Sequence, residues 1–451
     1  MSSGDDITST KPSDTITGAA PRKAAKTGGK GLAVALIAVL ILAGAGAGVY
    51  YYEKVYLPGK QGGKGGNNTN LPSFTISETG SSLIFPYMEV LGPNFTKLYP
   101  NIQISPQSTG SGTGISSAEK GLVDIGGTDA YLTPGTAANY SLINVPIAIS
   151  AQLVYYNLPG VSQHLNLNGT VLAMIYAGTI TKWNDPMIQA ANPGVTLPSN
   201  TIIPLHRADG SGDTFMFTSL LYMSWKGWTA SYGTSITWPA GQPGYQGNSG
   251  MVTGLQNTPY GIAYIGISYE SEANAANLQY AALGDQAANV NGTNAANYVL
   301  PTPATISQDA NLALQNLAPP SVAISLILGG VPGAINLQLG KGGTLPTSQY
   351  PTPYPDTNLE YTLVSTNPSN PAKQLYVVKF LEWSLQSGGT YASQVNFLPL
   401  TASVIGYDME ALNSVKVSGT SSSSYTISET GSSLIFPYME VLGPNFTKLY
   451  P

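Results

Sequence analysis

His206-Arg207-Ala208-Asp209-Gly210-Ser211-Gly212-Asp213-Thr214-Phe215 gathers a cation, a glycine-bracketed hydroxyl and two carboxylates into one short stretch. An apolar-periodic run follows (Phe215, Phe217, Leu220, Leu221) and predicts the first turns of a helix. A helix start presents unpaired backbone N–H groups and the positive end of the dipole, and small residues let an anion approach them closely. Arg207 adds a planar fork of donors suited to a tetrahedral oxyanion. The same residues also suit a structural role, a Ser or Asp N-cap beside an Arg–Asp pair.

Two further stretches share this character. Thr109-Gly110-Ser111-Gly112-Thr113-Gly114-Ile115 leads into Ser116-Ser117-Ala118-Glu119-Lys120, and Glu78-Thr79-Gly80-Ser81-Ser82-Leu83-Ile84-Phe85-Pro86 leads into Tyr87-Met88-Glu89-Val90-Leu91. Each is small and hydroxylated, and each lies where a strand-like run gives way to a helical pattern. One Gly/Ser turn is a common connector. Three of them, one carrying Arg207, point to a site enclosed by helix N-termini.

With Val123-Asp124-Ile125-Gly126-Gly127-Thr128-Asp129-Ala130, Ala177-Gly178-Thr179-Ile180-Thr181-Lys182-Trp183-Asn184-Asp185-Pro186, Val378-Lys379-Phe380-Leu381-Glu382-Trp383-Ser384 and Leu398-Pro399-Leu400, these motifs resemble the phosphate-binding proteins of ABC-type phosphate importers, over roughly Phe74 to Val417. The resemblance implies a two-lobed α/β type II periplasmic-binding-protein-like fold with two hinge crossings. Lobe one would comprise 74–150 and 271–417, and lobe two 151–270. It implies an oxyanion held by Phe85 (through its backbone N–H), Ser111, Asp129, Arg207, Ser211 and Gly212, with Asp209 buttressing Arg207. Two positions depart from the common pattern. Ile84 stands where a hydroxyl residue is usual, so that donor is missing or comes from Ser82. Asp213 stands where some members have Thr, and Thr214 is placed to take over. A buried Asp129 only accepts, so it would favour an oxyanion that still carries a proton over sulfate. Asp213 either adds a second acceptor or serves the helix dipole. The implied partners are inorganic phosphate and the permease and ATPase subunits of an importer; no cofactor is implied.

Composition fits an exposed, secreted protein. Charged residues are only 9% of the chain, against an ordinary quarter or so, while Tyr (28) and Gly (51) are plentiful. A surface with few carboxylates loses little as pH falls, which makes an acidic habitat plausible. The net charge of -5 argues against nucleic acid as a partner. With no cysteine there is no disulfide framework or thiolate metal site.

Residues 1–30 form a polar N-terminus carrying Arg22, Lys23, Lys26 and Lys30, and 31–52 are an uncharged run long enough to span a bilayer, which predicts a cytoplasmic start and an anchored domain outside. A cleaved secretory signal is a rival, and a third reading resembles archaeal type IV pilin-like signals cut after a basic-Gly pair such as Lys30-Gly31. A Gly/Asn-rich linker fills 53–73. Asn-x-Ser/Thr triplets begin at Asn67, Asn94, Asn139, Asn168, Asn291 and Asn445 and are compatible with an outside face.

The body alternates strand-like runs (Val145–Ile149, Leu153–Tyr156, Gly261–Ile265) with helical patterns (Leu167–Tyr176, Phe215–Trp225, Gln374–Gln386, the last with Gly388-Gly389 as its C-cap), which is an α/β arrangement. After a linker at 418–425, Thr426–Pro451 repeats Thr75–Pro100 without one difference. The copy is a dangling duplicate, displaces its own original, or inserts into a neighbouring molecule. Enzyme readings fare poorly: His164 and His206 are the two histidines, no Gly-x-Ser-x-Gly elbow is present, Gly340-Lys341 lacks the following Ser/Thr of a phosphate loop, and no metal-ligand spacing appears. The competing readings are a receptor for another tetrahedral oxyanion and a surface assembly subunit polymerising through 426–451.

Overall fold

The computed structural model describes residues 72–284, 292–316 and 353–417. The apolar run 31–52, almost all of the linker after it and the repeat 426–451 lie outside the described residues, as do Asn67, Asn291 and Asn445. Among the described residues no helix is long and apolar enough to cross a membrane.

The strands are β1 (Phe74–Gly80), β2 (Ile102–Ser105), β3 (Ile125–Thr128), β4 (Leu142–Asn157), β5 (Asn166–Asn168), β6 (Ile203–Pro204), β7 (His206–Arg207), β8 (Gly244–Tyr245), β9 (Gly261–Gly266), β10 (Gln279–Tyr280), β11 (Ala282–Gly284), β12 (Tyr298–Val299) and β13 (Thr357–Ser365). The main sheet runs β2-β1-β3-β13-β4-β9-β6, with β10 also paired to β4; β12-β11-β5 and β7-β8 form smaller sheets. The first three strands pair in parallel, β13 is antiparallel to both β3 and β4, and β4 is antiparallel to β9.

Two runs read as separate strands, Val145–Ile149 and Leu153–Tyr156, are one strand. β4 is long because it changes partner along its length: residues 142–151 pair with β13, and 152–157 pair with β9 on the other edge. Paired in this way, almost every residue of β4 is buried, which accounts for a continuous apolar run in place of an alternating one.

The helices begin where the sequence chemistry indicates. Asn168, Asp185 and Asn370 each accept a backbone N–H of the following first turn, and Pro186 and Pro371 open their helices. Asn168 is thus a buried cap, closed to modification. The predicted helices are found at Gly169–Tyr176, Gly212–Ser224 and Pro371–Leu385. Gly388-Gly389 does not cap the last of these; it starts a 3₁₀ segment, Gly388–Val395. Helix Phe85–Leu98 packs on helix Pro371–Leu385 through the edge-on pair Phe95–Phe380, the 3₁₀ segment reaches the same helix through Tyr391 against Trp383, and Tyr87 meets Phe397 just beyond the segment.

Candidate functional site

Four helix starts, Phe85–Leu98, Ser111–Glu119, Gly212–Ser224 and Gly247–Gln256, are tied together by direct bonds. Gly112 N–H donates to the Gly210 carbonyl (2.8 Å) and Gly247 N–H to Asp209 Oδ1 (3.1 Å). Asn248 donates from its backbone N–H (3.2 Å) and its Nδ2 (3.0 Å) to Ser82 Oγ. Gly110, with φ 91, is left-handed and faces the Asp209 carboxylate, where a Cβ would collide. Gly212 lies against the Asp129 carboxylate with equally little room. The turns quoted from the sequence, far apart in the chain, therefore meet.

One wall is built around Arg207, which is 3% exposed. Its Nε donates to Asp209 Oδ1 (2.8 Å), its Nη2 to Asp209 Oδ2 (2.5 Å) and its Nη1 to Asp213 Oδ2. A guanidinium has five N–H donors, so two remain beyond these three. Tyr264 OH accepts the Arg207 backbone N–H (2.9 Å) and exchanges a hydrogen bond with the Thr214 hydroxyl (2.8 Å). The Thr214 hydroxyl is thereby turned to Tyr264. Ser211 caps its helix by accepting Thr214 N–H (3.3 Å) and donates to Asp213 Oδ2 (3.3 Å). Asp213 also accepts Gln152 Nε2 on Oδ1 (3.1 Å) and Asn248 Nδ2 on Oδ2 (3.0 Å). With these donors on it, Asp213 serves the guanidinium and the helix start. The structural features that the segment alone allowed, a Ser cap and Arg–Asp pairs, are present.

The electrostatics follow from burial. Desolvation alone would lower the Arg207 pKa, but the Asp213 charge and the Asp209 hydrogen bond and charge outweigh it and drive it up. Desolvation works against ionisation of Asp209 too, yet Arg207 and the Gly247 N–H hold it below its ordinary value. Asp213, fully enclosed, is pushed up to about 6 by burial, with Arg207 opposing and Asp129 reinforcing the rise.

The other wall is Asp129, at the end of β3. Its Oδ2 has Ser111 Oγ at 3.4 Å, its own N–H donates to Ser111 Oγ (3.3 Å), and its Oδ1 has no donor among the described residues. Burial raises its pKa, opposed by hydrogen bonds from Glu360 and Ser81, the charge of Arg207 and a hydrogen bond from Ser111. Of the first turn, Ile84 is buried at the N-cap and supplies no capping group; Ser81 Oγ accepts Leu83 N–H (3.0 Å) and Ile84 N–H (3.3 Å) instead. Phe85 N–H donates to the Ser81 carbonyl (3.1 Å).

Ser111, Asp129, Arg207, Asp209, Ser211, Gly212 and Asp213 thus form one cluster, with Ser82 joined to it through Asn248. The Phe85 N–H, expected to face the oxyanion, is bonded to the Ser81 carbonyl, and the Ile84 side chain is buried in the core. Sequence reading missed Gln152, Asn248, Tyr264, Asn358 and Glu360. Asn248 carried a legible signal, since Gly247-Asn248-Ser249-Gly250 is a fourth small polar turn at a helix start. His206 rests on Trp238 (ring centroids 5.1 Å) with its ring nitrogens at the Arg207 and Gln242 carbonyls.

A family model described as a PBP superfamily domain matches residues 65–316. The phosphate-binding protein PstS of Pasteurella multocida is 29% identical to the chain over 334 residues, covering 73% of this chain and 88% of that protein. The phosphate-binding protein PstS of Methanocaldococcus jannaschii is 33% identical over 226 residues, covering 46% and 57%. A human phosphate binding apolipoprotein of known structure aligns with a TM-score of 0.52 at 18% identity, over 73% of this chain and 92% of that one, a likeness of fold.

Proposed function

Because the chain belongs to the PBP superfamily, we propose that it is an extracellular receptor that binds inorganic phosphate and delivers it to the permease and ATPase of an ABC importer. The relatives named phosphate-binding protein PstS support the ligand class. The observation that carries it is the pairing of two unlike walls across one cluster of helix starts. Arg207 and the first N–H groups of helix Gly212–Ser224 offer donors, and Asp129 beside Ser111 offers an acceptor.

That combination selects among oxyanions. Phosphate at neutral pH keeps at least one proton and can donate it to Asp129 Oδ2; sulfate has none and would set its charge against the carboxylate. An unpaired buried acceptor costs about 1–3 kcal/mol, more for a charged group, which is the scale of discrimination expected. Residues 74–150 and 271–417 would form the lobe bearing Asp129, and 151–270 the lobe bearing Arg207. The change of partner along β4 at 151/152 supports that division. Capture would couple to closure of the lobes, and the apolar run 31–52 would tether the receptor to the membrane.

Calorimetric titration of the full chain with phosphate and with sulfate tests the proposal: heat with phosphate and none with sulfate is the expected result, and silence with phosphate would refute it. The exact copy Thr426–Pro451 favours a second reading, a surface subunit that assembles through this segment. A mass above the monomer that disappears on deleting 421–451 would support that reading, and a monomer with the segment intact would exclude it.

A further inference from the structure

Glu360 is fully buried in β13, whose register pairs Tyr361 with Thr128 and so brings Glu360 beside Asp129. Glu360 Oε1 accepts from the Ser150 hydroxyl on β4, and Oε2 has no donor among the described residues. Asp129 Oδ1 is in the same condition. Asp129 itself is held in place from the same strand, since Asn358 Nδ2 donates to its carbonyl (2.7 Å). The two carboxyl groups lie within hydrogen-bonding reach of each other. A carboxylate only accepts, so two enclosed carboxyl groups side by side satisfy each other only through a proton.

We infer that Glu360 is a positioning residue for the anion: it carries a proton, donates it to Asp129 Oδ1, and leaves Asp129 Oδ2 aimed between Ser111 and Gly212 as the one ionised acceptor. The inference rests on the phosphate reading of the site. The pair then holds a single negative charge, and the proton on Glu360 keeps a second charge out of the wall that an anion must approach. Burial, the Asp129 charge and the hydrogen bond to Asp129 all drive Glu360 toward its neutral form; Ser150 opposes, and Asp213 adds to the rise from helix Gly212–Ser224. Arg207, Ser81 and Ser111 act on Asp129 from the other elements around it. Asp356, just before β13, acts on Asp309 of helix Pro303–Asn316 and on Tyr354.

The variant Glu360→Gln tests this, because a glutamine amide donates to Asp129 as the protonated acid does but cannot lose its donor by titration. Phosphate affinity of the full chain and of the variant is measured from about pH 5 to about pH 9, across the range a buried glutamate can reach. The ionisation of phosphate is common to both proteins and cancels in their ratio. That ratio is expected near one at the acid end, with the native chain falling about tenfold or more below the variant at the alkaline end, as a like charge appears beside a buried one. Parallel profiles would overturn the inference. Carboxyl ¹³C NMR of the native chain labelled at glutamate reads the same proton with no ligand and no variant fold at stake. A glutamate resonance that shifts in Asp129→Asn should keep its acid form at neutral pH, and titration of that resonance in the ordinary glutamate range would also overturn the inference. Should the acid form be seen while no phosphate binds at any pH, the dyad stands and the receptor reading fails.

Discussion

The Arg207 wall and the Asp129 wall are both buried and both charged, yet they are finished differently. On the first, each oxygen of Asp209 and Asp213 has at least one donor, supplied by Arg207, Gln152, Asn248, Ser211 and Gly247. On the second, Asp129 has the Ser111 hydroxyl at a long 3.4 Å from Oδ2 and the Ser81 hydroxyl nearby, and Oδ1 is short of a donor until Glu360 lends its proton. A saturated network fixes geometry, because removing any partner strands a buried charge. An acceptor short of donors selects ligands, because a proton-bearing anion completes it. The contrast is what a site needs in order to be rigid in one wall and discriminating in the other.

The largest break in that comparison should come from Arg207→Ala. It leaves Asp209 and Asp213 without their cation in a dry site, where losing one partner of a buried pair costs about 3–5 kcal/mol. Chemical denaturation should show a loss of that size alongside loss of phosphate binding. A variant with native stability would mean that the wall is wetter than its burial indicates.

A smaller effect should come from Glu78, at the far end of β1. Burial pushes its carboxyl up to about 8, against a backbone hydrogen bond from Gln107, and its Oε2 has no donor among the described residues. The folded pKa lies above the unfolded one, near 4.5, so its contribution to stability is complete below about 4.5 and is lost as pH rises through about 8. The native chain should therefore lose stability across that window. The slope approaches about 1.4 kcal/mol per pH unit for one proton, for a total of a few kcal/mol. Glu78→Gln should flatten that part of the curve of denaturation midpoint against pH. An unchanged slope would mean that Glu78 ionises in the fold as it does in the unfolded chain.

The smallest effect should come from Thr214→Val, which deletes the hydroxyl turned to Tyr264. About 1 kcal/mol of stability should be lost, as for one ordinary hydrogen bond, with phosphate affinity within about threefold of native. A large affinity loss would put Thr214 in the ligand's coordination after all, where the sequence had allowed it.

What was legible in the sequence was local. Gly110-Ser111-Gly112 and Gly210-Ser211-Gly212 announce helix starts because few other residues fit those turns, and the α/β alternation follows from apolar runs of strand length between helical patterns. What was not legible depends on register. Gln152, Tyr264, Asn358 and Glu360 reach the site from β4, β9 and β13, and only the pairing of those strands decides which side chains stand beside Asp129 and Arg207. Glu360 left a faint trace, a lone carboxylate within Leu359-Glu360-Tyr361-Thr362-Leu363. The runs Val145–Ile149 and Leu153–Tyr156 are separated in the sequence by Ser150, Ala151 and Gln152, small or polar residues that a strand flanked by partners on both edges absorbs without a turn. Ile84 was weighed as a missing donor, whereas its side chain packs in the core and Ser81 does the capping.

The most direct test of the central claim is the ratio of phosphate to sulfate affinity in the full chain and in Asp129→Asn, measured by calorimetry at neutral pH. The native chain should bind phosphate and ignore sulfate. In the variant the repulsion of sulfate is gone and the proton acceptor is weakened, so the ratio should collapse by about ten- to a hundredfold, equivalent to about 1.4–2.7 kcal/mol. An Asp129→Asn variant that keeps the native ratio would contradict the account, because selection would then reside elsewhere than in the unsaturated wall.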